Sequence, residues 1–195
     1  MHVTPCTAAA AVYGAREGDE MTPGTLILLH APNADAAAWG DLPEMLRSYG
    51  LDVVAPDVPE GTGHRYIARA SLIITATDPV APLVLAAHGA AGPLLPGIAL
   101  AQRAAHRPVG GYVFVDADLP RPLHLHGEGS PHDDLPMPPD WPEAPCGYLR
   151  TQSDRSGSSE HDEAVREARL RGWPVTEHDP PKAVAQSLSE LVATL

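Results

Sequence analysis

Three histidines in this 195-residue sequence each close a short apolar run: His30 after TLILL, His88 after VLAA and His178 after WPVTE. An imidazole titrates near neutrality, so a ring fixed at the end of a buried run is a candidate general acid or base. Acidic residues follow two further apolar runs, Asp116 and Asp118 in VFVDADLP and Asp154 after CGYLRTQ. His30 and His88 also have a structural reading, in which one ring ties down a loop and the other is buried in a turn. A third polar cluster is HLHGEGSPHDD, with His124, His126, Glu128, His132, Asp133 and Asp134. An HxH pair on an extended segment places both rings on one side, a pattern that chelates zinc or nickel. Its Pro- and Gly-rich surroundings offer no scaffold to orient ligands, so a solvated loop is expected, with no metal and no cofactor.

The elements that must position these groups alternate in type. Short apolar runs at 25–30, 51–56, 81–87, 111–115, 146–152 and 173–177 read as buried strands. Between them lie helical patterns. Leu42, Met45, Leu46 and Tyr49 recur at helical spacing before Gly50, and Ile67, Ala70, Ser71 and Ile74 share a second helical face. Further helices are expected after the third strand up to His106, in SSEHDEAVREARLRG as an exposed charged helix, and in PPKAVAQSLSELVATL with Pro at its entry. Strands and helices alternating at these spacings predict an α/β fold with a mostly parallel, doubly wound sheet of about six strands. In such folds ligands sit at the carboxyl ends of the strands. One domain spanning 1–195 is expected, with 1–24 an N-terminal extension or edge strand and 121–145 a loop.

Two stretches carry a family likeness. HAPNADAAAW, His30 to Trp39, has the form HGxxxxxxxW with Ala31 in the glycine position, and AHGAAGPLLP, Ala87 to Pro96, has the form of a GHSxGG turn with Gly89 at its centre. Small residues two before and two after that centre, Ala87 and Ala91, let a strand and a helix approach closely. From Thr25 to Leu195 the chain thus resembles the α/β-hydrolase superfamily, as a small member with a reduced lid at 121–145. The resemblance implies that Gly89 and Ala90 form the nucleophile elbow. It also implies that Ala31, Pro32 and Asn33 line the oxyanion loop, although Pro32 has no N–H to give. Trp39 closes that loop.

The same resemblance exposes two departures. Gly89 stands where the family places its serine, so no acyl-enzyme can form at the elbow. The triad histidine of the family comes from a loop after the last strand, whereas WPVTEHDPPKAVA passes almost directly into a helix, leaving His178 at the strand end. Two losses in one triad point to abandoned acyl chemistry, since triad members act as a unit. The expectation is a non-hydrolytic enzyme acting on a small organic substrate in specialised metabolism, by cyclisation, isomerisation or elimination. Its candidate catalytic residues are His30, His88, Asp118 and His178, and its candidate binding residues are Ala31, Pro32, Asn33, Trp39, Gly89 and Ala90. The alternative is an inactive pseudo-hydrolase that binds a ligand or stabilises a partner.

Composition narrows the partners. A formal charge of −12 argues against nucleic acid, which needs clustered Lys and Arg to displace counterions. No apolar run approaches the ~20 residues of a membrane span. AAAAVY lacks a preceding basic run and is followed by GAREGDE, unlike a signal peptide, so a cytoplasmic chain is expected. Cys6 and Cys146 form no CxxC pair and read as reduced thiols. A small lid leaves the site open or closed by a second copy, so a homodimer stays among the expected arrangements.

Overall fold

The computed structural model describes residues 24–59, 61, 63–121, 137–151, 154, 161–178, 180 and 183–195. Among these, six strands form one sheet: β1 (Leu26–Leu29), β2 (Val53–Val54), β3 (Leu83–Gly89), β4 (Val109–Ala117), β5 (Cys146–Arg150) and β6 (Val175–Glu177). Their order is β2-β1-β3-β4-β5-β6, and every neighbouring pair is parallel. Among the described residues, these helices flank them: α1 (Leu42–Ser48), α2 (Gly63–Ala76), α3 (Leu95–Ala104), α4 (Asp162–Leu170) and α5 (Val184–Val192).

Side chains alternate across the sheet, as a pleated strand requires. Ile27, Leu29, Leu85, Tyr112 and Phe114 pack under α2, α3 and α4, while Leu26, Leu28, Ala86, Val113 and Val115 pack under α1 and α5. Burial on both faces explains why these strands read as continuous apolar runs. The amphipathic patterns mostly hold. Ile67, Ala70 and Ile74 of α2 are buried, as are Leu42 and Leu46 of α1, but Tyr49 lies beyond the end of α1 and is exposed. Helix α4 is less exposed than its charge suggests, because Ala164, Val165 and Ala168 face the core. At the start of α5 the N-cap is Ala183, so the Pro pair precedes the helix rather than entering it. Strand β2 shrinks to two residues, and β3 and β4 run further than their apolar cores, through Gly89 and Ala117.

Register carries the chemistry-bearing residues to one edge. Leu29 pairs with Ala87, His88 with Val115, Val115 with Leu149, and Arg150 with Glu177. His30, His88, Asp116 and His178 therefore all leave the sheet at its carboxyl end. The order reverses between β1 and β3, which opens the crevice where ligands bind in sheets of this type.

Candidate functional site

The first wall of the crevice is the loop after β1. His30 is fully buried. The Val58 amide donates to its Nε2 at 3.0 Å, which leaves the ring proton on Nδ1 to donate to the Ala31 carbonyl at 2.9 Å. Tyr66 Oη donates to the His30 carbonyl at 2.5 Å, and burial pushes that phenol well above its ordinary range. Both nitrogens of His30 are thus engaged, and the ring ties the loop to the β2–α2 connection instead of facing a ligand. Asn33 adopts a left-handed conformation (φ 68°) at the exposed tip, and Asp35 caps a short 3-10 helix, Ala36–Trp39, by accepting from the Ala37 amide at 3.0 Å. That helix delivers Trp39 inward. The indole is buried and meets the His88 ring edge to face at 5.6 Å, and its Nε1 has no acceptor among the described residues.

The second wall is the turn after β3. Gly89 has φ +56°, in the left-handed region where a side chain is strained, so the sharp strand-to-helix reversal is present without a serine. The Ala91 amide closes the turn on the His88 carbonyl at 3.1 Å, and a 3-10 turn, Gly92–Leu94, leads into α3. A Cβ on Gly89 would meet only the Ala31 Cβ at 3.5 Å, which puts the elbow and the β1 loop in contact range. At Gly92 the space is gone, since a Cβ would fall 1.9 Å from the Asp118 carbonyl oxygen. His88 is half-buried. Burial pushes its imidazolium below the ordinary range and His161 adds to this, against an opposing pull from Asp116 and Asp154. It is therefore a neutral ring at neutral pH.

The third wall departs from the sequence reading. Asp118 is exposed, and only its backbone packs on the elbow, its amide reaching the Gly89 carbonyl at 3.3 Å. Asp116 is the buried carboxylate of that strand end. It sits at φ +43° and accepts from the Thr151 amide (2.7 Å) and Thr151 Oγ1 (2.5 Å). Non-glycine residues in this region are held there by their surroundings, and such strain gathers at functional sites.

Asp154 is the carboxylate that meets an imidazole. Its Oδ1 lies 2.6 Å from Nδ1 of His161, and Arg150 Nε donates to its Oδ2 at 2.8 Å. The side chains of Asp154 and His161 are 6% and 13% exposed, so this pair is largely shielded from water. A carboxylate on Nδ1 favours the tautomer with its proton there and its lone pair on Nε2. His161 stands just ahead of α4, whose charged sequence reads as a solvated face. The legible signal was its position in the connection after β5, at the ligand-binding end of the sheet. His178 follows β6 directly, buried, with its amide on the Arg150 carbonyl at 2.8 Å.

The HLHGEGSPHDD cluster and Cys6 lie outside the described residues. Among the described residues no group of three or more His, Cys, Asp or Glu side chains is placed to hold a metal ion. Burial pushes the Cys146 thiol up to about 12, which keeps it protonated and unreactive. No helix in the described residues is long and apolar enough to cross a membrane.

A parallel sheet in this order, with a glycine-centred elbow after β3, has the fold of the α/β-hydrolases. Among solved structures, the chain is similar to an extracellular α/β-hydrolase from a Paenibacillus species described as sharing homology with tobacco salicylic acid binding protein 2. The two are 15% identical over 88% of this chain and 98% of the other, with a TM-score of 0.60. It is also similar to a mutant of polyneuridine aldehyde esterase (14% identity, 87% and 98% covered, TM-score 0.60). A pyrethroid hydrolase from Sphingobium faniae JZ-2 matches at 17% identity, 88% and 98% coverage and a TM-score of 0.58. No protein-family model and no curated protein sequence matches the chain.

Proposed function

We propose that this chain is an α/β-hydrolase-fold enzyme that moves protons on a small carbonyl-bearing organic substrate without forming an acyl-enzyme. The reaction class is a cyclisation, isomerisation or elimination. The observation that carries this reading is the elbow itself: the left-handed turn at residue 89 is retained with a glycine in it, while a carboxylate-held imidazole and a neutral imidazole stand at the neighbouring strand ends.

In this mechanism the substrate carbonyl faces the backbone after Gly89 and the loop from Ala31 to Asn33, where amide dipoles stabilise the charge that develops on oxygen as an enolate forms. His161 takes the proton through Nε2 while Asp154 holds Nδ1. His88, neutral because it is desolvated, serves as the second proton carrier beside the elbow, as expected where environments set ring protonation apart. Asp116 is a positioning residue, its negative charge held near His88 by Thr151. The Trp39 indole packs on His88.

The test uses α-tetralone in D2O at neutral pH, with deuterium at the carbon next to the carbonyl read by mass spectrometry. Exchange catalysed by the protein, cut about 100-fold in His161→Ala, fits the typical contribution of a general base, ~10²–10⁴. Exchange at the uncatalysed rate with α-tetralone and with a panel of linear ketones, or exchange unaffected by His161→Ala, overturns it.

A further inference from the structure

A cavity of about 400 Å³ is lined by Pro120, Met137, Trp141, Pro142, Arg171 and Trp173. Trp141 and Pro142 lie just ahead of β5, and Arg171 and Trp173 just ahead of β6. Four of the six lining residues thus come from connections that enter the sheet at its amino end. The cavity shares no residue with the candidate site. Its size falls in the range of small-molecule sites, ~300–1,000 Å³.

The walls are fixed in place. Trp141 meets Trp173 edge to face at 6.4 Å; Trp173 stacks on buried Phe114 at 5.5 Å with planes 9° apart, and Trp141 meets buried Tyr112 at 5.7 Å. The segment that carries Trp141 is braced on both sides of it. Tyr112 Oη donates to Glu143 at 2.7 Å, and Arg103 pairs with Glu143 at 3.0 Å and Asp140 at 3.2 Å. An aromatic wall held this way loses little freedom when a ring packs on it.

One lining cation gives the cavity its polarity. The Arg171 guanidinium sits 5.0 Å over the Trp173 ring, and among the described residues its Nη2 engages Glu167, one polar contact for a group that carries five N–H bonds. We propose that this cavity is a binding site for a planar aromatic carboxylate, whose ring packs on the tryptophan wall and whose single negative charge is met by Arg171. The net charge of −12 disfavours a polyanion such as a nucleotide, whereas one carboxylate needs one guanidinium.

The test is calorimetric titration of the full chain with 2-naphthoate and, in parallel, with neutral 2-naphthamide. Expected are saturable binding of the acid, at least tenfold weaker binding of the amide, and a tenfold or greater loss with Arg171→Gln. Arg166→Gln, which removes the same charge from exposed α4 surface, and His161→Ala should both leave the affinity unchanged. Glu167→Gln, which frees the guanidinium, should tighten binding several-fold. The proposal is overturned if the acid does not saturate, if acid and amide bind equally, or if His161→Ala rather than Arg171→Gln abolishes binding, since the ligand would then occupy the strand-end crevice.

Discussion

Gly89→Ser tests the elbow most directly, because the geometry separates its structural cost from its chemical consequence. Serine must adopt φ near +56°, and a left-handed conformation costs a non-glycine residue about 1–2 kcal/mol. Nothing is added for overlap, since the new Cβ meets only the Ala31 Cβ at 3.5 Å, an ordinary contact. At about 2–4 °C per kcal/mol for a chain of this length, the melting temperature should fall by about 2–8 °C and the variant should remain folded. Gly92→Ser is the contrast: its Cβ would lie 1.9 Å from the Asp118 carbonyl oxygen, so the exit of β4 must move and a loss of roughly 4 kcal/mol or more is expected. The activity assay is hydrolysis of p-nitrophenyl acetate, with intact-mass detection of an acyl adduct. Serine is a weak nucleophile until an imidazole takes its proton at about 3 Å, and the segment after β6, where the sequence reading expects that imidazole, carries only His178, buried at the strand end. Gly89→Ser should therefore form no adduct and stay within a few-fold of the unmodified chain. A burst of acylation, or a 100-fold gain in turnover, would refute the claim that acyl chemistry has been abandoned.

Three further outcomes follow from the same contacts. Asp154→Asn removes one of the two carboxylates paired with Arg150, Asp162 remaining at 2.7 Å, and should cost about 1–3 kcal/mol in urea unfolding, with loss of the α-exchange activity. Thr151→Val removes the hydroxyl bond to Asp116 and should cost about 1–3 kcal/mol by thermal melting, since the carboxylate stays buried with one partner fewer. His88 has its folded pKa below the ordinary value, so the unfolded chain binds more protons between the two. Its contribution to stability is present above about pH 6.5 and is lost as the pH falls toward the folded value. Denaturation at a series of pH values should show this as a shallower acid decline in His88→Gln than in the unmodified chain; identical slopes would contradict a desolvated ring.

The order of elements, their parallel arrangement and the turn at residue 89 were legible in the sequence because each follows from local pattern. Strands buried on both faces read as apolar runs, helices show their period, and an elbow needs small residues at Ala87 and Ala91. Only the tertiary structure decided which polar groups meet. His30 and His88 occupy equivalent positions behind apolar runs, yet packing engages both nitrogens of one and leaves the other half-buried and neutral. Asp116 and Asp118 are two residues apart, and a left-handed backbone at the first puts its carboxylate on Thr151 and leaves the second exposed. His161 was hidden because a charged amphipathic helix masks a ring at its entrance. Its partner Asp154 lies seven residues earlier, and only the packed structure brings the two within 2.6 Å. Local sequence sets element type through steric and hydrophobic periodicity, whereas hydrogen bonds between connections depend on distances that only the packed sheet and helices fix.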